Sequence, residues 1–248
     1  MNAIGVDGCK DGWIAISLNN DGWEINLFSD VSKLWQLHKC ASIILIDIPI
    51  GLRECDCLER LCDLEARKLL GPPRASSVFP APCRSALLCN SYAESCSTNR
   101  TLVGRGMSLQ TWSISRKIRE IDEFLLEHES ARGIIIESHP EITFYAFNGC
   151  QPMQFNKKNH WGFSERYDLL KSIYPKTEEI VNCALKKFFR KQVAKDDILD
   201  ALCLAITGLI GLKYGFKTLP NVPEKDAKGH KMQIVFCSNQ VRPARDNV

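Results

Sequence analysis

Three carboxylates open the long apolar run near the C-terminus, at Asp196, Asp197 and Asp200. Residues three and four apart lie on the same side of a helix, so a helix starting here would gather these acids in its first turns. Acids at a helix start also have a structural explanation, because they stabilise the helix dipole and cap its amide groups. Asp200, however, is followed by apolar residues through Ile206 and is expected to be buried. A buried carboxylate needs a partner, so the stretch indicates either a helix start or a catalytic or metal-binding role.

Three further acids stand at the ends of apolar segments that have the composition of buried strands: Asp7, Asp47 and Glu137. Because the carboxyl ends of parallel strands meet at one edge of a sheet, these acids are expected to converge with the helical ones. Converging carboxylates repel one another in a low-dielectric site. Mg²⁺ prefers oxygen ligands, and two ions about 3.5–4 Å apart can activate water and stabilise a leaving oxygen. The acids therefore predict a two-metal site.

The rest of the pattern supplies the elements that must position these acids. Three strand-like segments joined by short turns predict an antiparallel meander. Later strands separated by helices predict a parallel part of the sheet with helices on both faces. The predicted strands cover residues 3–7, 13–18, 23–28, 42–48, 133–137 and 232–236. The predicted helices cover residues 31–38, 109–128, 164–173, 177–190 and 195–213.

Residues 53–103 differ from their surroundings because they are rich in cysteine and proline. They predict a helix and a long ordered loop, inserted into a single domain that spans residues 1–248. A loop of this length in a compact domain is often a binding loop or lid. The alternative is an irregular cover over one face of the sheet.

The composition restricts the kinds of protein to which this sequence can belong. The chain has 248 residues, of which 45% are hydrophobic and 25% charged, as in a globular protein with a sizeable core. A net charge of +3 does not by itself indicate nucleic-acid binding. No signal peptide and no apolar run of about 20 residues is evident, which predicts a cytoplasmic protein with no membrane contact. The twelve cysteines lack paired C-x₂-C spacing, which favours free thiols over zinc.

The motifs that carry these acids resemble those of the domain of unknown function 429 family, whose members are predicted ribonuclease H-like nucleases. The matching motifs are Gly5-Val6-Asp7-Gly8-Cys9-Lys10 with Gly12-Trp13, Ile46-Asp47-Ile48-Pro49-Ile50-Gly51, Ser77-Val78-Phe79-Pro80-Ala81-Pro82, Glu137-Ser138-His139-Pro140-Glu141 and Asp196-Asp197-Ile198-Leu199-Asp200-Ala201. They occur in order over nearly the whole chain. More distantly, the pattern is similar to RuvC-type Holliday-junction resolvases. The resemblance implies an α/β fold with a ribonuclease H-like mixed sheet.

The resemblance also implies roles for the acids. It carries metal ligation, by Mg²⁺ or Mn²⁺, onto Asp7, Asp47, Asp197 and Asp200. The resolvases have Glu where this chain has Asp47, so the shorter side chain could alter the spacing of the ions. Glu137 is an additional acid, expected either to replace Asp47 as a ligand or to support the catalytic group.

The function expected from these features is metal-dependent hydrolysis of phosphodiester bonds in DNA, RNA or a hybrid. The cations expected to contact phosphates are Arg67, Arg74, Arg84, Lys157, Lys158 and Arg166. One alternative is a nucleotide-binding phosphotransferase of the sugar-kinase or actin-like type, because Asp-Gly turns after the first and fourth strands bind phosphates in those proteins. Another is a non-catalytic nucleic-acid-binding module. A homodimer is a further expectation, through pairing of the late strand near Met232.

Overall fold

The computed structural model describes residues 1–20, 22–55 and 58–238, and its centre is a five-stranded mixed sheet in the order β3-β2-β1-β4-β5. Strands β1 to β3 form an antiparallel meander, whereas β1, β4 and β5 are parallel. The strands are β1 Asn2–Cys9, β2 Gly12–Asn19, β3 Trp23–Phe28, β4 Ile43–Ile46 and β5 Ile135–Glu137. This arrangement confirms the predicted ribonuclease H-like fold class.

Eight α-helices are present in the described ranges. They are α1 Val31–His38, α2 Leu61–Arg74, α3 Tyr92–Val103, α4 Leu109–Glu127, α5 Pro140–Phe147, α6 His160–Ile173, α7 Thr177–Lys187 and α8 Lys195–Tyr214. None of these helices combines the length and the apolar character that a membrane span requires.

The sheet is buried by helices on two faces because its strands are apolar on both sides. On one face, α4 places Ile118 and Ile121 in a cluster with Ile4 and Val6 of β1. On the other face, α8 packs against β2 through a cluster that includes Ile14 and Ile16. All four residues of β4 are buried, as expected for a central parallel strand.

Several elements differ from the sequence prediction. The inserted segment contains two helices, α2 and α3, and a short helix, α5, follows β5 directly. A second sheet pairs β6 Lys217–Lys225 with β7 Lys231–Phe236 in antiparallel orientation. Only β7 was predicted, because Pro220 and Pro223 remove backbone donors and make the β6 sequence look irregular. The strand invoked for a homodimer therefore has a partner within its own chain.

Helix α8 approaches β1 at Gly5 more closely than any side chain would permit. A Cβ atom added at Gly5 would overlap the Ala201 carbonyl oxygen and the Ala205 amide of α8. The two backbones are thus in direct contact one helical turn beyond the acidic start of α8. This contact fixes the position of Asp200 relative to the end of β1.

We predict that Gly5→Ala lowers the free energy of unfolding by about 1–3 kcal/mol or more, because overpacked cores must shift their backbone to relax. Urea denaturation followed by circular dichroism measures the change. Gly8→Ala is the matched control on the same strand, since its methyl group would meet the flexible Lys117 side chain, whose Cδ lies 2.9 Å away. Equal stability of the two variants would contradict the proposed backbone contact.

Candidate metal centre

Three carboxylates converge where β1 and β4 end and α8 begins. Asp7, Asp47 and Asp200 each offer an oxygen, and these oxygens all lie within 4.8 Å of one another. Asp7 lies near the end of β1, and Asp47 directly follows β4, donating its amide to the Val6 carbonyl at 3.0 Å. The parallel register therefore places Asp7 and Asp47 side by side, and the contact at Gly5 brings Asp200 to them.

The electrostatics of this group follow from its burial. Asp7 and Asp200 are buried, whereas Asp47 is partly exposed. Burial and the neighbouring Asp47 carboxylate raise the pKa of Asp7 well above its usual range. Burial also raises the pKa of Asp47. A divalent cation beside Asp7 and Asp47 would favour the charged forms of these two carboxyl groups, which burial disfavours.

The donor set fits a hard cation such as Mg²⁺ or Mn²⁺. All three side chains present carboxylate oxygens, the ligand type that these ions prefer. The Oδ1 atom of Asp200 is buried and has no hydrogen-bond partner in the described part of the chain. A buried oxygen without a partner is costly, and ligation of a cation would satisfy it.

Lys157 supplies the positive charge that now balances these acids. Its Nζ donates to Asp200 Oδ2 at 2.5 Å. Although burial opposes its charge, the carboxylates of Asp200, Asp7 and Asp47 raise the pKa of Lys157 well above its usual range. About one third of the side chain, 33%, remains exposed. One ammonium offsets only part of the charge of three carboxylates.

Asp197 lies beside the group and has a second role as a helix cap. Its Oδ2 accepts a hydrogen bond from the Ala194 amide at 2.8 Å. Burial, together with the charges of Asp196 and Asp200, raises the pKa of Asp197 to about 6, although the hydrogen bond from Ala194 opposes the shift. The structure thus supports both the capping and the site interpretation of this acid.

Glu137 belongs to a different cluster, formed with Arg60 and Asp63. Both Glu137 oxygens accept hydrogen bonds from Arg60, at 2.7 and 2.8 Å, and Oε2 also accepts from the Ile50 amide at 2.7 Å. Burial raises the pKa of Glu137 to about 7 against the influence of Arg60. These bonds fix the segment that follows Asp47. Glu137 is not one of the three acids whose oxygens converge.

Most of the cations expected to contact phosphates are used inside the protein. Arg166 is 1% exposed and pairs with Glu141. Arg84 pairs with Glu54, Asp122 and Asp226, Arg67 pairs with Glu59, and Arg74 donates to the Met153 carbonyl. Lys158 is exposed, and Lys157 reaches the carboxylates. Of the six, Lys157 is the cation that a described contact places at the three carboxylates.

Two residues near Asp47 were not predicted as part of the site. The charge of His139 lowers the pKa of Asp47 and that of Glu141 raises it, so both lie within electrostatic reach. The Oε2 atom of Glu141 is buried and lacks a hydrogen-bond partner among the described residues. Their signal in the sequence was the position directly after β5, at the same edge of the sheet as Asp7 and Asp47.

A second group with oxygen and nitrogen donors consists of Asp122, Asp226 and His230. Arg84 donates to both carboxylates, to Asp226 Oδ2 at 2.5 Å and to Asp122 Oδ2 at 2.7 Å. A permanent guanidinium thus already compensates these acids. The first group is the stronger candidate for a metal centre because its balancing charge is a single, partly exposed lysine.

We predict that Lys157→Met lowers the free energy of unfolding in EDTA by about 1.5–3 kcal/mol, the range for a lost hydrogen bond to a charged group. Added Mg²⁺ should raise the melting temperature of this variant more than that of the wild type, because the cation no longer competes with the ammonium. Differential scanning fluorimetry measures both effects. Lys158→Met, at the exposed neighbouring residue, should behave as the wild type. A variant that is as stable as the wild type in EDTA would contradict the assigned role of Lys157.

We also predict that the difference in the free energy of unfolding between the wild type and Asp197→Asn depends on pH. The pKa of Asp197 is raised from 3.8 to about 6, so the stability it contributes is present below about pH 4 and is lost as the pH rises through about 6. Relative to the wild type, Asp197→Asn should therefore gain up to about 3 kcal/mol across this window. Urea titrations in EDTA test it. A stability difference that stays constant with pH would contradict the raised pKa.

Comparison with known proteins identifies a family for this chain but does not identify an activity. No curated protein and no solved structure matches the chain. The sequence profile of a family described as a protein of unknown function, DUF429, matches residues 5–224, a range that contains every acid of the candidate centre. The chain therefore belongs to the DUF429 family.

Proposed function

We propose that this protein is a divalent-metal-dependent nuclease that hydrolyses phosphodiester bonds of nucleic acid. The observation that carries the proposal is the convergence of the Asp7, Asp47 and Asp200 oxygens within 4.8 Å at one edge of the sheet. Such a set of carboxylates is costly to bury for stability alone, and it matches the oxygen-rich ligand sets of metal sites that act on phosphates.

Asp7, Asp47 and Asp200 would hold the metal, with Asp197 as an additional acid beside them. Mg²⁺ or Mn²⁺ bound there would supply charge stabilisation for the phosphate and lower the pKa of a bound water. The remaining tasks fall to the protein. The Arg60–Glu137 pair fixes the segment after Asp47 through the Ile50 amide, and the contact at Gly5 fixes Asp200.

Lys157 has a distinct part in this proposal. Its ammonium lies among the carboxylates and its side chain is partly exposed. With the acids neutralised by a bound cation, Lys157 would be held less strongly by Asp200. Its ammonium would then be available to a phosphate oxygen of the substrate, as lysines commonly are in nucleic-acid complexes. Lys157 would thus change partners between the free and the substrate-bound protein.

Cleavage of a labelled panel of single strand, duplex, hybrid and branched junction tests the proposal, with Mg²⁺ or Mn²⁺ present. We expect metal-dependent cutting by the wild type and a loss of at least about 100-fold in the Asp7→Asn and Asp200→Asn double variant, because both substitutions remove metal ligands. Asp196→Asn is the matched control in the first turn of the same helix, and it should retain activity.

Circular dichroism must show that the double variant keeps its fold. If the wild type cuts no substrate, and if neither Mg²⁺ nor Mn²⁺ raises its melting temperature, the acids are architectural and the nuclease proposal is wrong. If metal binds but nucleotides rather than nucleic acids stabilise the protein further, a phosphotransferase becomes the better explanation.

A further inference from the structure

An exposed cluster of aromatic rings lies on the loop that carries Lys157 and on the first turn of α6, which follows it. Phe155 is 41% exposed and Trp161 is 66% exposed, and their ring centroids are 6.4 Å apart. The exposed His160 ring lies 5.6 Å from that of Trp161. Large aromatic side chains in water are costly unless they have a partner, so a neighbouring group of three suggests a binding surface.

The loop is anchored firmly, so these rings have a defined position. Glu165 accepts hydrogen bonds from the amides of Gln154 and Phe155, at 2.7 and 3.1 Å. Arg166, itself buried, donates to the Phe155 carbonyl at 3.1 Å. Gly162 leaves no room for a Cβ because the Asn156 carbonyl packs against it. Residues 154–162 are thus held by the start of α6.

The same loop connects the rings to the candidate metal centre. Lys157 lies two residues after Phe155 and four before Trp161, and its Nζ reaches Asp200. A chain of nucleotides whose phosphate lies at the carboxylates would therefore have its neighbouring bases next to these rings. This proximity follows from the covalent connection and from the contact between Lys157 and Asp200.

A second loop with similar chemistry leads directly into α8. Phe189 is 72% exposed, and the Lys191 ammonium lies 5.7 Å from its ring centroid. The Val193 amide donates to the Phe189 carbonyl at 3.1 Å, which closes a turn in this loop shortly before the helix begins. Lys195, the first residue of α8, lies 5.4 Å from the ring of Phe163 in α6, so the two loops border neighbouring helix ends.

The charged side chains of both loops are all positive. Residues 154–163 and 188–195 contain no Asp or Glu, and they carry five cations: Lys157, Lys158, Arg190, Lys191 and Lys195. Basic side chains attract the phosphate backbone, and exposed aromatic rings stack on bases. The combination is typical of surfaces that hold single strands. In a duplex the base faces are stacked on one another, so rings of this kind have nothing to contact there.

We infer that these two loops, the aromatic platform, bind unpaired nucleotides next to the scissile phosphodiester bond. The inference deepens the proposed nuclease function, since it assigns single-stranded segments as the substrate class of that site. Trp161 and Phe155 would stack on bases, and Lys158 and Lys191 would contact phosphates. Direct hydrogen bonds to base edges are not required, so binding is expected to depend little on sequence.

The experiment measures fluorescence anisotropy of a labelled single strand and of a labelled duplex of the same length, in EDTA so that no cutting occurs. We expect the wild type to bind the single strand more tightly than the duplex. Trp161→Ala should weaken single-strand binding by about 5- to 150-fold, the effect of losing one stacked base, whereas Trp161→Phe should retain most of the affinity. Lys158→Ala should reduce the slope of log affinity against log salt concentration by about 0.7.

Tyr214→Ala is the matched control. Tyr214 is 49% exposed and has a lysine ammonium, that of Lys213, 4.9 Å from its ring, but it lies at the opposite end of α8, about 30 Å away along the helix. This variant should bind the single strand as tightly as the wild type. Loss of affinity in Tyr214→Ala equal to that in Trp161→Ala would overturn the assignment of the platform.

The outcomes separate the platform from the nuclease activity. Tight single-strand binding that depends on Trp161, without metal-dependent cutting, would retain the platform and reject the nuclease. Cutting that continues in Trp161→Ala with unchanged single-strand affinity would reject the platform and retain the nuclease. If Trp161→Ala instead converts a dimer into a monomer by analytical ultracentrifugation and leaves single-strand binding unchanged, the rings form an interface between copies and the inference is wrong.

Discussion

Mutual repulsion of three carboxylates in a low-dielectric place is the constraint on which the rest of the structure depends. Two unit charges about 4 Å apart interact by about 4 kcal/mol at an effective dielectric constant near 20. A carboxylate oxygen of each of the residues Asp7, Asp47 and Asp200 lies within 4.8 Å of an oxygen of the other two. The fold holds them together through rigid backbone contacts, and it supplies Lys157 as a built-in counter-charge. A site of this kind is preorganised, because the carboxylates do not have to be brought together when a cation arrives.

The elements around the centre can be understood as means of resisting that repulsion. The absence of a side chain at Gly5 lets α8 pack directly on β1, which holds Asp200 close to Asp7 despite their repulsion. The fully buried pairs Arg60–Glu137 and Arg166–Glu141 hold, respectively, the segment after Asp47 and the loop that carries Lys157. Buried ion pairs contribute little net stability, but breaking one is costly, so they are well suited to fixing a single arrangement.

The sequence was sufficient for the sheet, most of the helices and the three converging aspartates. Asp7 and Asp47 follow apolar strands, and Asp200 lies on the helical repeat, so local periodicity located them. Glu137 also follows an apolar strand. Its partner Arg60, however, lies 77 residues away in the sequence, and local periodicity cannot predict a contact between residues so far apart. Strand β6 was missed because its prolines hide it, and the internal partners of Arg84 and Arg166 could not be foreseen because such ion pairs depend on tertiary contacts. Exposure of aromatic rings was similarly invisible before the loops were placed.

Arg84 joins four separate parts of the chain. It pairs with Glu54 before α2, with Asp122 of α4 and with Asp226 in the turn between β6 and β7, while its own amide binds the Arg53 carbonyl. Asp226 in turn accepts the Leu52 amide, five residues after Asp47. Moving the inserted segment away from the sheet would leave several buried charges without their ion-pair partners. The insertion is therefore fixed against the rest of the fold by these bonds, and we do not expect it to open as a hinged lid.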